Sequence, residues 1–422
     1  MSTSDAHRAI EAVWRIEAAR LIAGLTRIVR DVGLAEELAQ DALVVALEKW
    51  PESGIPDNPG AWLMATAKHR ALDHFRRNKL LERKHEELGR ELKSQQESAL
   101  ANFDISVQGE IEDDLLRLVF ISCHPILSTE ARVALTLRLL GGLTTVEIAR
   151  AFLTPEPTIA QRIVRAKRIL SEARVPFEVP AANERAARLS SVIEVIYLIF
   201  NEGYSATSGN DWMRPELCGE ALRLGRILAE LTPNEAEVHA LVALMEIQAS
   251  RFGARTTPTG EPILLLEQNR ALWDQLLIRR GLAALDRALQ AGAAGSYVLQ
   301  AAIAACHARA HTAEETDWPQ IADLYAQLAA LTPSPIVQLN RAVAVAMASG
   351  PAAGLELVAS LAAEPSLKNY HLLPAVRGDF LSKLGRFEEA REEFARAATL
   401  TKNARERELL LDRARKASSG TV

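Results

Sequence analysis

Cysteine is scarce. Cys123, Cys218 and Cys306 are the three in 422 residues, far apart and without a CxxC pair. That spacing excludes a disulfide framework and a zinc ribbon, and it predicts free buried thiols in a reducing cytosol. Aromatic residues make up 5% of the chain and β-branched runs are few, while alanine, leucine, glutamate and arginine abound. Such a composition favours helix almost throughout, so the expected fold is all-α. Long apolar runs are missing as well. The most apolar segment, "VIEVIYLIF" (192–200), is about half a membrane span and contains Glu194, which reads as a buried helix. The N-terminal "MSTSDAHRAIEAVWRIEAARL" carries charges every few residues and has no signal-peptide core. Together these absences predict a cytoplasmic protein with no membrane association.

The signatures of common enzymes are also absent. There is no Walker loop, dinucleotide fingerprint or HExxH. "GYSAT", within "IYLIFNEGYSATSG" (196–209), is not a GxSxG elbow, and no strand precedes it. Cys123 and His124 are adjacent metal-ligand types without a second cluster, and they read as turn residues. The sequence assigns no catalytic residue, cofactor or metal.

What is present is uneven charge. The chain has a net charge of −5, yet residues 61–80 carry +4 and residues 161–180 carry +3, against −4 for residues 101–120 and −3 for everything after 180. Two basic islands sit in an acidic body. Amphipathic helical segments fill residues 8–77, with a loop at "WPESGIPDNPG" (50–60). Residues 78–112 are polar, mixed in charge and weakly periodic, a linker. Helical periodicity returns over 113–175 and breaks at "VPFEVPAA", and helix pairs then run from 182 to 422. Near the end, "LSKLGRFEEAREEFARAATL" (381–400) sets Gly385, Phe387, Ala390, Phe394 and Ala397 at tetratricopeptide offsets, and residues 337–361 are a looser copy.

Three helical faces carry the functional reading. In "LAEELAQDALVVALEKW" (34–50), Ala39, Leu43, Ala46, Leu47 and Trp50 form a core stripe. Opposite them, Glu37, Gln40, Asp41, Val44 and Glu48 make an acidic strip with an exposed valine, suited to docking a partner helix. Over 61–77, Leu63, Met64, Ala67, Ala71 and Phe75 gather on one side, with Thr66, His69, Arg70, Asp73, Arg76 and Arg77 on the other. Trp62 is expected on that polar face, where an aromatic among guanidinium groups can stack on an unpaired base while phosphates are neutralised. Finally, "LTTVEIARAFLTPEPTIAQRIVRAKRIL" (143–170) reads as a helix-turn-helix whose second helix starts near Pro157. Ile159, Ile163, Ala166 and Leu170 bury one side. Thr158, Gln161 and Arg165 are placed to read base edges, and Arg162, Lys167 and Arg168 to hold phosphates.

In order and content these pieces resemble a group IV, extracytoplasmic-function bacterial RNA polymerase sigma factor of the sigma-70 family, in the subgroup with a tetratricopeptide-like C-terminal extension. The resemblance covers roughly the first 175 residues. It implies two small helical sigma domains, 1–77 and 113–175, joined by the 78–112 linker, with a larger helical-repeat domain at 182–422. It further implies that Glu37, Gln40, Asp41 and Val44 dock on the clamp coiled coil of core RNA polymerase. Trp62, His69, Arg70, Asp73, Arg76 and Arg77 would capture the melted −10 element, the second helix of the helix-turn-helix would read the −35 major groove, and the linker would thread the RNA exit path. One departure from the family pattern is Leu153, which stands in the turn where glycine is usual. The expected partners are core RNA polymerase, promoter DNA, and a protein or peptide regulator at the repeat domain. A polymerase-independent helix-turn-helix regulator on a repeat scaffold is the alternative; it leaves the 34–50 strip and the Trp62 face without a purpose.

Overall fold

The computed structural model describes residues 3–83, 109–292 and 295–419. Apart from short 3-10 turns, their regular structure is helical, except for a two-residue parallel pairing of Ser208–Gly209 with Lys402–Asn403 and an isolated bridge between Thr256 and Pro262. No described helix is long and apolar enough to cross a membrane. The chain divides into two compact units, Met1–Ile196 and Tyr197–Val422.

The first unit opens with α1 (Thr3–Val29), α2 (Val32–Ser53) and α3 (Pro59–Arg83). Asp31 starts α2 by accepting a hydrogen bond from the Leu34 amide at 2.9 Å, which satisfies one of the donors a helix start leaves open. The loop after α2 is shorter than the prolines suggest. Pro51 lies in the last turn of α2, Gly54 ends the helix at φ +83°, and the Asn58 side chain accepts from the Ala61 amide at 3.0 Å to begin α3. Leu25, Leu38, Ala42, Ala46, Leu63, Ala67 and Ala71 are all buried between these helices. Full burial of each leucine contributes on the order of 2 kcal/mol, and the alanines let the helix axes approach.

After residues 84–108, which lie outside the described structure and hold most of the expected linker, α4 (Gly109–Ser122) packs on α1. Its Asp114 is buried and meets Arg27 at 3.1 Å and Arg117 at 2.6 Å, so the buried carboxylate has two guanidinium partners. Next come α5 (Thr129–Leu139), α6 (Thr145–Ala151) and α7 (Glu156–Glu172). Thr144 and Glu147 form a reciprocal capping box at the start of α6. Ile148 and Ala149 of α6 and Ile159, Ile163, Ala166 and Leu170 of α7 are buried, the stripe expected of a helix-turn-helix. Leu153 in the turn adopts φ +46°.

The second boundary differs from the sequence expectation. A break near 175–182 is present, but α8 (Ala182–Tyr204) then runs continuously past Ile196. Its first half belongs to the helix-turn-helix unit. Arg188 donates to the Phe120 carbonyl at 3.0 Å, the Ser191 hydroxyl donates to the Cys123 carbonyl at 2.7 Å, and Arg132 pairs with Glu194 at 3.1 Å. Prolines mark where the chain turns, whereas domain membership follows these long-range hydrogen bonds.

The second unit continues with α9 (Pro215–Leu231), α10 (Ala236–Ala249), α11 (Gln275–Gln290), α12 (Ser296–Arg309) and α13 (Trp318–Leu331), each packed on its neighbours in sequence. It closes with α14 (Pro335–Ser349), α15 (Pro351–Leu361), α16 (Leu372–Lys383), α17 (Phe387–Leu400) and α18 (Ala404–Ser419). The 381–400 motif spans the end of α16, the Gly385 turn at φ +75° and α17, with Ala390, Phe394 and Ala397 buried. A Cβ at Gly378 would lie 2.9 Å from the Phe394 ring, so glycine is what allows the two helices to close.

Leu153 is half exposed, at 53%, and its left-handed backbone carries a Cβ penalty of about 1–2 kcal/mol. Leu153→Gly is therefore expected to leave stability unchanged or raise it by up to ~1 kcal/mol, and Leu153→Val to lower it by ~1 kcal/mol. Thermal denaturation of the two variants measures this.

Candidate nucleic-acid interface

The α3 polar face is largely as the sequence suggests. His69, Arg70, Asp73 and Arg76 are exposed on one side, and Asp73 and Arg76 form a loose pair at 3.9 Å. Such an exposed pair contributes little to stability, so Arg76 can exchange it for a phosphate at small cost. Of Arg77 only the helical backbone is described; its side chain lies outside the described residues. Trp62 differs from the expectation. It is half-buried, with its ring edge-on to the fully buried Trp50 at 5.2 Å and 65°. It sits in the first turn of α3, beside the end of α2, and the aromatic pair holds part of its surface away from solvent.

On α7, Gln161, Arg165 and Arg168 are exposed and Val164 is 65% exposed, all on the side away from the buried stripe. Thr158 and Arg162 are half-buried at its edge. Arg168 has an exposed neighbour in Glu172 at 3.6 Å. Lys167 lies elsewhere than its neighbours on the basic face. It was expected to hold a phosphate, but its ammonium pairs with the buried carboxylate of Glu36 on α2 and its side chain is only 19% exposed. While that pair holds, the lysine is not free to neutralise DNA.

The α2 strip has Glu37, Asp41 and Glu48 exposed and Val44 at 52% exposure. Gln40 is half-buried because its amide donates to the Glu36 carboxylate. Cys123 and His124 form no metal cluster with other described residues. The Cys123 thiol is buried 3.3 Å from the Thr136 hydroxyl, and burial raises its pKa. His124 accepts from the Ile126 amide at 3.1 Å, with its pKa lowered to about 4, first by burial and then by Arg188.

Comparison with known proteins agrees with this geometry. The family described as Sigma-70 region 2 matches residues 15–80, Sigma-70, region 4 matches 117–170, and a family of unknown function, DUF6596, matches 188–289. The chain belongs to the extracytoplasmic-function sigma factors. An uncharacterized protein of Rhizobium meliloti is 44% identical over 383 residues, 90% of this chain and 89% of that protein. The probable ECF RNA polymerase sigma factor SigI of Mycobacterium tuberculosis is 26% identical over 179 residues, 42% of this chain and 60% of its own length. The ECF RNA polymerase sigma factor SigK of a Mycobacterium species is 29% identical over 164 residues, 37% of this chain and 77% of its own.

The sigma-70 region 2 and region 4 helices pack against each other within the first unit. Glu36 is buried on α2 and receives Arg138 of α5 at 2.6 Å as well as Lys167 of α7. Nearby, the Ser171 hydroxyl donates to Asp31 at 2.9 Å, and Arg15 of α1 pairs with Glu147 of the capping box at 3.0 Å. Burial works against the charged form of Glu147, but hydrogen bonds from Thr144 and the Arg15 and Arg150 charges outweigh it and hold its pKa below the usual value. The sequence reading missed Glu36, although a signal was there. It falls between Ala35 and Leu38 on the buried side of the helix, where a carboxylate persists only if it is paired.

Glu36→Ala leaves two cations facing an apolar wall. The expected cost is about 3 kcal/mol in chemical denaturation, with faster hydrogen exchange at α7 amides as region 4 separates from region 2.

Proposed function

We propose that this sigma factor docks on core RNA polymerase through Glu37, Asp41 and Val44, with Gln40 at the edge. In this reading α3 engages the −10 element through His69, Arg70, Asp73, Arg76 and Arg77, with the accessible edge of Trp62 beside them. Thr158, Gln161 and Arg165 read the −35 element, and Arg162 and Arg168 hold the flanking phosphates. The protein acts in the cytoplasm as a non-enzymatic subunit.

The observation that carries the reading is the joint exposure of the α2 strip, the α3 face and the α7 face on one chain. An isolated DNA-binding regulator needs only the last of these.

The packing of region 4 on region 2 adds a constraint. A compact body of about 196 residues has a radius of gyration of roughly 16 Å and is ~40 Å across. Elements centred on −10 and −35 are about 25 base pairs apart, or ~85 Å at 3.4 Å per base pair. Both cannot be held by the closed arrangement. Region 4 must leave Glu36, and Lys167 then becomes a cation free for phosphate. Two small basic faces on a chain of net charge −5 neutralise few phosphates, so the free protein binds DNA weakly at physiological salt. Core polymerase supplies both the opening and the remaining affinity.

The C-terminal unit regulates this step through contacts along its helical-repeat surface, the kind of surface that takes peptides and proteins.

Run-off transcription with core polymerase tests the assignment: start-site selection is expected with the protein and not without it. Initiation that never depends on the protein, or promoter affinity equal for free protein and holoenzyme at matched salt, favours the polymerase-independent regulator. Within the holoenzyme, Arg165→Ala is expected to cost about 1–3 kcal/mol and to relax base preference, while Arg168→Ala weakens all promoters alike and flattens the salt dependence. For the C-terminal unit the informative truncation ends after Tyr204, because a cut at 180 would also remove Arg188, Ser191 and Glu194 from region 4. Changed promoter output on that truncation is the expected result, and unchanged output in vitro and in cells counts against regulation.

A further inference from the structure

The C-terminal unit gathers arginines that have no carboxylate partner. Arg251, Arg255 and Arg270 come from one loop, between α10 and α11, and none has an ion pair among the described residues. Arg255 is 6% exposed, stacks 3.5 Å from the centre of the Tyr204 ring and donates to the Tyr204 carbonyl. Arg270 is fixed by the His307 and Ala310 carbonyls, each at 2.7 Å, and by the Thr316 hydroxyl at 2.9 Å. Both therefore have structural employment.

Arg251 does not. It is half-buried, its Nε is buried without a hydrogen-bond partner, and its guanidinium lies between Tyr204 and Trp273 at 5.6 and 5.8 Å from the two ring centres. Around it the unused hydrogen-bonding capacity mounts up. The Nε of Arg270, the indole N–H of Trp273 and the Nδ1 of His307 are also buried and unpartnered. His307 is held neutral, its pKa lowered to about 3 by burial and then by the Arg251 and Arg270 charges. Glu314 and Glu315 are the acidic groups whose charge reaches Arg270, and neither comes within ion-pair distance of it. A fold that gathers this much positive charge without a counter-ion forgoes several hydrogen bonds, and cation–π contacts return only part of that energy.

We propose that Arg251, backed by Arg270 and walled by Tyr204 and Trp273, is the binding site for a small anionic ligand bearing a carboxylate or phosphate group. The planar guanidinium offers two parallel N–H donors to such an oxyanion. The site gives the C-terminal unit a chemical effector. Its test reads binding and not transcription, so its failure leaves the sigma factor assignment untouched.

The experiment is thermal denaturation of the full chain at constant ionic strength, with chloride replaced by inorganic phosphate, pyrophosphate or succinate, followed by tryptophan fluorescence titration. At least one of the three is expected to raise Tm saturably over chloride, by about 2–4 °C at several times its dissociation constant. Arg251→Gln is expected to weaken that binding at least ~10-fold, and Arg391→Gln, on the exposed side of α17, to leave it unchanged. No shift beyond chloride with any probe, or an equal shift in Arg251→Gln, overturns the proposal. Circular dichroism checks the fold of the variant. If Arg251→Gln does not fold, Arg251→Lys replaces it: several-fold weaker binding supports the site, and undiminished binding overturns it.

Discussion

The buried carboxylate of Glu36 is the constraint around which the first unit is organised. Burying an anion is costly unless cations meet it, and here they come from two later helices, Arg138 on α5 and Lys167 on α7. One acidic residue in the region 2 helix therefore determines where region 4 rests. It also decides which cations of the second basic island are available, since Lys167 faces inward while Arg165 and Arg168 face solvent. The same carboxylate draws in Gln40 and leaves Glu37, Asp41 and Val44 to make the outer strip.

This economy explains how an acidic protein of net charge −5 can be built to handle DNA. Its 49 lysines and arginines are outnumbered by 54 acidic residues, and some are committed to internal carboxylates: Arg27 and Arg117 to Asp114, Arg138 and Lys167 to Glu36. Among the cations left facing water in the first unit are Arg70 and Arg76 on α3 and Arg165 and Arg168 on α7. A subunit made this way cannot compete for DNA by charge alone, and selectivity becomes its main contribution once a larger enzyme provides the grip. The C-terminal unit shows the opposite condition in one place, where Arg251 lies among aromatic rings with no ion-pair partner among the described residues.

Much of the fold was legible in the chain. The alternation of apolar and charged residues in 34–50, 61–77 and 144–173 gave the right helices with the right sides buried, down to Ile159, Ile163, Ala166 and Leu170. Gly385 with Phe394 announced a helical hairpin near the C-terminus. The misreadings have physical causes. Trp62 was placed on the polar face by helical angle alone, and it turned toward Trp50 because a neighbouring helix end offered an aromatic partner. Pro51 was taken for loop and fits the last turn of α2. The boundary near 180 was read from prolines, although the hydrogen bonds of Arg188 and Ser191 carry the first half of α8 into the region 4 body.

The sequence by itself determined the local order: which segments are helical, which face of each is apolar, and which short stretches concentrate positive charge. These follow from spacing within one helix, where residues three or four apart are neighbours whatever the rest of the chain does. Only the tertiary structure decided the pairings across long separations, Glu36 with Arg138 and Lys167, and Arg251 with Tyr204 and Trp273. A charge reveals nothing about its partner until folding sets the distance and removes the water between them, and that depends on the packing of whole helices.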